Sequence, residues 1–191
     1  MADAEIRTID LPAAVAALEK HLGFRSERTR QLARRLQETG MLPAGSHGVS
    51  ARLDVHDFGT LALACAAGGT IAECPERVAT LDRLLPGGID ASDFPEGVRK
   101  RMVPAGVDLD AMLRMAAEGD DCLRQVRIEV VSSWPEYAVI WQASGEVRRW
   151  REPGSLPGHW AAGHRRSTMI DGKALFYAVQ ALFADEAADA A

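Results

Sequence analysis

The sequence predicts an α+β chain, and two changes of hydrophobic period carry the prediction. Up to about residue 69, and again over 170–184, apolar residues recur at spacings of three and four, as in helices that bury one face. Between about 126 and 151 they alternate with polar residues, the period of half-buried strands. A third observation divides the chain by charge. Seven Lys or Arg stand against two acids over 20–53, whereas 54–191 carry 14 basic and 21 acidic residues and the whole chain sums to −5. The expected order is a helical unit with a hairpin over 1–69, a helix and linker over 70–107, and an α+β association or sensing unit over 108–191. That last unit is an antiparallel β-meander followed by a terminal helix.

The first unit is read element by element. Asp10 caps a helix with Pro12 in its first turn, and Leu11, Val15, Leu18 and Leu22 form its inward face. Gly23 stops it, Phe24 and Arg25 turn the chain, and Ser26 caps a second helix over 26–39. In that helix Thr29, Leu32, Ala33 and Leu36 share one side, while Arg28, Gln31, Arg34 and Arg35 take the other. Gly40 supplies its stop. A short strand over 41–43, a loop of small residues over 44–48 and a return strand over 50–55 follow as a hairpin. The apolar run 56–67 is a helix that packs beneath them, ended by Gly68 and Gly69.

A helix is expected over 75–85, with Val78, Leu81 and Leu85 inward and Pro86, Gly87 and Gly88 at its end. The acidic, turn-rich stretch that follows reads as loop. Asp108 or Asp110 caps a helix reaching Ala117. Three strands then form the meander, Ile128, Val130, Val139 and Trp141 being inward candidates. A loop follows over 154–166, and the final helix over 170–184 turns Leu175, Val179, Leu182 and Phe183 inward.

Composition bounds the function. At 191 residues and 47% hydrophobic, the chain has enough apolar material for a packed core. Its longest apolar run, 61–67, is far short of a membrane crossing, and its acidic N-terminus lacks a signal region. Cys65, Cys74 and Cys122 are odd in number and scattered, which fits free thiols in a reducing cytoplasm. His47, His56, Cys65 and Cys74 recur every nine residues. Zinc sites instead combine ligand pairs two to four residues apart with one longer gap, so no metal is assigned. His159, His164, Arg165, Arg166 and Asp171 carry no nucleophile motif, and no phosphate-cradling glycine loop exists. Trp134, Trp141, Trp150 and Trp160 read as packing between strands. No cofactor and no enzymatic activity are expected.

Helix, glycine turn, helix, short strand, glycine-containing loop and return strand together resemble the winged helix-turn-helix DNA-binding domains of bacterial and phage regulators. Ser26, Thr29, Leu32, Leu36, Gly40, Met41 and Leu42 carry the resemblance, with 45–50 as the wing and 52–55 as its return strand. It covers roughly 55 residues, and implies that helix 26–39 enters the major groove while the wing rests on a backbone or minor groove. From the residues themselves, Arg28, Gln31 and Arg35 at i, i+3 and i+7 suit base edges, Arg to guanine and Gln to adenine. Arg30 and Arg34 suit phosphates, as does Ser26 with the free N–H groups of the first turn. His47 and Arg52 add polar contacts from the wing. The expected function is sequence-specific binding of double-stranded DNA by a homodimeric transcriptional regulator of a bacterium or mobile element. The alternatives are a phage or mobile-element packaging or recombination factor, and a protein-interaction module whose arginines only solubilise it.

Overall fold

The computed structural model describes residues 7–46, 48–155 and 164–184. Two short strands open and close the N-terminal part. β1 (Ile9–Asp10) and β2 (Arg52–Leu53) pair antiparallel, Ile9 opposite Leu53. Between them lie α1 (Leu11–Leu22) and α2 (Ser26–Glu38). Asp10 caps α1, its carboxylate accepting the Ala13 N–H at 2.8 Å. Gly23, at φ 73°, ends α1 in the left-handed conformation that glycine reaches without strain.

α3 (Val55–Ala67) begins directly after β2. Asp54 and Asp57 close its first turn reciprocally, each carboxylate accepting the other's N–H, at 2.8 and 3.1 Å. That capping box converts Val55 from the expected strand residue into the first helical one. α3 is apolar nearly all round because it is buried nearly all round. It packs on α2, on α4 (Cys74–Asp82), on α6 (Ala105–Ala117) and on two strands of the main sheet.

The sheet has five strands in the order β3-β6-β5-β4-β7, every neighbour antiparallel. β4 (Val126–Val131), β5 (Glu136–Trp141) and β6 (Val147–Arg151) are the expected meander. β3 (Leu85–Pro86) and β7 (Ser167–Asp171) extend it at either edge. One face, with Ile128, Val130, Tyr137, Val139 and Trp150, is buried under the helices. Tyr137 and Trp150 stand directly opposite each other, rings at 5.3 Å and 64°, and the Trp150 indole N–H donates to the Val103 carbonyl at 2.9 Å. α7 (Gly172–Phe183) returns across the helical layer, packing on α1 and α6. One continuous core therefore runs from Ile9 to Phe183, through the expected linker, which contributes Cys74, Val78, Leu81 and Leu84.

Several expectations are corrected. Residues 41–43 form no strand: the Met41 and Leu42 N–H groups both donate to the Leu36 carbonyl, so this stretch serves the end of α2. The helix expected over 75–85 ends at Asp82, because Leu85 and Pro86 pair with Arg151 and Trp150 at the sheet edge. α6 starts three residues before Asp108, with Pro104 at its cap position, and α5 (Glu96–Arg99) adds one turn to the expected loop. Residues 167–171 are strand, so the final helix begins at Gly172 and not at 170, and Asp171 caps it by accepting the Lys173 and Ala174 N–H groups at 2.8 and 3.3 Å. Trp141, expected inward, is half-buried at the meander's end.

The β7–α7 junction admits only glycine at its first helical residue. A Cβ on Gly172 would meet the Val126 carbonyl oxygen at 2.5 Å and the Leu123 carbonyl oxygen more closely still. Both are backbone atoms that cannot swing aside. Gly172→Ala is expected to cost about 1–3 kcal/mol, read as a lower urea midpoint at unchanged slope.

Candidate nucleic-acid interface

α2 holds its place through the apolar side anticipated for it. Leu32, Ala33 and Leu36 are fully buried, and Thr29 points the same way, its hydroxyl donating to the Arg25 carbonyl at 3.0 Å. The opposite side is open. Arg30, Gln31 and Arg34 are exposed, and neither Arg30 nor Gln31 engages any described residue. Arg34, with 83% of its side chain exposed, lies 3.2 Å from Glu38 in an i,i+4 pair. Pairs as exposed as this are weak and yield readily to a better anion.

The remaining arginines of the helix face differently. Arg28 reaches sideways to donate to the Gly69 carbonyl at 2.6 Å, clipping α2 to the turn between α3 and α4. Arg35 is half-buried, with its Nε enclosed and its Nη1 3.3 Å from Glu38. Both lie close enough to the Cys74 thiol, at the start of α4, to oppose the rise that burial gives it, to about 11. The i, i+3, i+7 row of Arg28, Gln31 and Arg35 is thus flanked by α4, and the freely presented face centres on Arg30, Gln31 and Arg34.

Ser26 is the first residue of α2, and Arg25 stands at the cap position without a capping side chain. The Ser26 N–H donates to the Glu19 carboxylate at 3.2 Å. This chain's own carboxylate therefore occupies the helix N-terminus where a phosphate was anticipated. Sequence spacing offers no sign of that contact, because Glu19 reaches Ser26 only through the geometry of the Gly23 turn.

Beyond α2, Gln37 donates to the Pro43 carbonyl at 2.9 Å and pins the start of the loop to the helix end. Val49 N–H donates to the Ser46 carbonyl at 2.9 Å, making a tight turn. Gly45 sits against that turn, where a Cβ would meet the Val49 oxygen at 2.6 Å. The loop leads back through the Ala51 carbonyl, which accepts the Leu11 N–H at 3.2 Å, into the β1–β2 pair. Its return strand thus pairs with the strand before α1, not with residues 41–43. Arg52 is exposed but turned to Thr8, donating to its hydroxyl at 3.2 Å and its carbonyl at 2.5 Å. His47 lies outside the described residues.

Other candidates are dispersed. Cys65 lies 3.6 Å from the Thr29 hydroxyl, whereas His56 is 3.4 Å from Asp110 near the other end of α3. Among the described residues no group of three His, Cys, Asp or Glu is placed to hold a metal ion. Arg165 is committed to Glu129 and Glu136. That buried Arg–Glu cluster on the outer sheet face went unanticipated, although charges at alternate positions of three adjoining strands were its available signal. A cleft of about 360 Å³ separates α4 from the β4–β5 turn, with Arg77 crossing it to the Ser132 carbonyl at 3.0 Å. No described helix is long and apolar enough to cross a membrane. The chain matches no family model, and the comparisons with curated proteins and solved structures found no match.

Proposed function

We propose that this protein binds double-stranded DNA through the open face of α2, in the manner of a winged helix-turn-helix regulator. The observation that carries the reading is the row Arg30, Gln31 and Arg34: exposed, largely unengaged, and mounted on a helix whose other side is locked into the core. It lies within the basic segment 20–53 of a chain that is otherwise acidic. Such an island attracts a polyanion while the remainder repels it, which orients the encounter. The β1–β2 pair ties the segment after α2 back to the start of α1, so the helix is held at both ends. A transcriptional regulator is the preferred role, and a packaging or recombination factor would use the same surface.

On this reading the contacts centre on the open face of α2. Gln31→Ala is expected to cost roughly 1–3 kcal/mol of specific binding and to relax preference at one base position. Arg30→Ala and Arg34→Ala should weaken binding to all sequences alike, each lowering the salt slope by about one unit. Arg28→Ala should act mainly on stability, because its guanidinium is bound to Gly69. Fluorescence anisotropy on selected and random duplexes across a salt series reads these effects. Salt-independent binding, unchanged in all four variants, would favour a protein-interaction module instead.

A further inference from the structure

The two edges of the main sheet are built differently. β3 closes one edge with two residues, one of them Pro86, whose missing N–H lies on the open side. β7 closes the other with five residues and carries no proline, no lysine and no charge before Asp171. Its hydrogen-bond phase follows from the ladder. The Ser132 N–H donates to the Arg166 carbonyl at 2.8 Å, so Thr168 and Ile170 direct their backbone groups to β4. Ser167 and Met169 turn theirs outward, as does the Asp171 N–H, its carbonyl opening α7. Among the described residues no backbone or side-chain group meets them. Met169 is 48% exposed on the outer face. Beside the edge a groove of about 190 Å³ lies between β7 and the end of α1, walled by Leu22, Phe24 and Ala174.

We propose that β7 pairs antiparallel with β7 of a second copy of this chain, about a twofold axis at Met169, joining the two sheets into one. The register is self-complementary. With Met169 opposite Met169, Ser167 stands opposite the second copy's Asp171, so only outward-turned residues meet as bonding pairs. Roughly four N–H···O bonds form: two between the methionines and one from each Asp171 N–H to the facing Ser167 carbonyl. A shift of one residue would set outward groups against inward ones. Charge agrees, because residues 167–170 are neutral and the two Asp171 carboxylates lie at opposite ends of the ladder, each beside an uncharged serine. The groove beside the edge adds the half-buried Leu22 and Phe24 to the apolar surface next to Met169. The pairing stands on the sheet geometry alone and holds whether or not α2 meets DNA.

Sedimentation of the full chain tests it. The wild type is expected to be a dimer. Met169→Lys sets two ammonium groups at the axis; Met169 is 48% exposed and its cross-strand neighbour is the acid Glu129, so the variant should keep its circular dichroism and dimerise at least roughly tenfold more weakly. Met169→Cys should cross-link under mild oxidation, since bonded antiparallel pairs stand about 5.5 Å apart at Cα, within disulfide reach. Thr168→Cys, on the other face, should not exceed the wild-type background. A wild type that sediments as a monomer at its highest soluble concentration overturns the proposal. So does a dimer that Met169→Lys leaves intact and Met169→Cys fails to cross-link.

Discussion

Glu136→Ala is expected to lower the stability of the fold by about 3–5 kcal/mol, the range for stranding buried charges without their partner. The side chain is fully enclosed on the outer sheet face. Its Oε1 accepts from Arg149 and Arg165, each at 2.8 Å, and its Oε2 from Arg151 at 2.9 Å. Arg165 also grips Glu129 with both Nε and Nη2, at 2.9 and 2.8 Å. Two carboxylates thus neutralise most of three guanidiniums, and Arg151 has only 11% of its side chain exposed. Removing Glu136 leaves Arg151 without its acceptor among the described residues, where water scarcely reaches. The same cluster sets an acid limit. Hydrogen bonding by Arg165 holds the Glu129 carboxyl below its ordinary range. Burial raises that of Glu136, but the bonds from Arg165 and Arg151 outweigh it, so it too ends low. A carboxyl depressed in the folded state binds protons first in the unfolded one. Its contribution is complete above the ordinary value of about 4.3 and is lost as pH falls through the lower folded value. Urea unfolding should therefore show the wild type weakening steeply below about pH 4, and Glu136→Ala both weaker at pH 7 and flatter in acid. A loss under about 1 kcal/mol at pH 7 would mean that the cluster behaves as exposed ion pairs do.

The contrast between α2 and β7 shows how far the sequence reaches. The buried side of α2 was legible because helix period and burial are the same fact: Thr29, Leu32, Ala33 and Leu36 are inward by spacing, and inward in the fold. The meander was legible for the parallel reason at period two. β7 was not, because STMID is too short to show alternation and Ile170 fits the helical pattern of the residues after it. Its strand state is decided by β4, which needs a partner on its second side. Likewise residues 41–43 have strand-like composition, yet the unsatisfied carbonyls at the end of α2 claim their N–H groups first. At the candidate interface, residue type predicted chemistry but not direction. Five basic or amide side chains were assigned to α2 from the helical wheel. What the wheel lacks is α4 and the Gly69 carbonyl, which draw off Arg28 and flank Arg35, and Glu19, which takes the Ser26 N–H. Those are tertiary contacts between segments 7 to 41 residues apart.

Cutting the chain after residue 69 is expected to unfold both pieces, although charge and hydrophobic period both change near that boundary. α3, the last helix of the N-terminal piece, lies under the sheet and against α6. Phe58 meets Phe183 of α7 edge-on, ring centres 5.9 Å apart at 64°, and Gly59 lies so close to α6 that a Cβ there would meet Leu113 Cδ1 at 2.5 Å. The cut exposes one side of each of these contacts, and also the surface of α1 that α7 covers. A single break in the same seam gauges the scale: Phe58→Ala in the whole chain should cost about 3–5 kcal/mol, a large share of what a domain of this size has in hand. A fragment of residues 1–69 loses several such contacts together and, as a small piece, has little buried surface to offset them. Its circular dichroism should show partial helix without a cooperative thermal transition, and the fragment from 70 onward should aggregate or bind a hydrophobic dye. Mixing the two should restore a cooperative transition if the core re-forms across the cut. A 1–69 fragment that melts cooperatively by itself would instead establish an autonomous N-terminal unit. Loss of DNA binding on truncation, without that transition, would report unfolding and not a missing contact. For that reason the arginine variants of α2 belong in the full-length chain, where the helix face is held in place by a core that extends to Phe183.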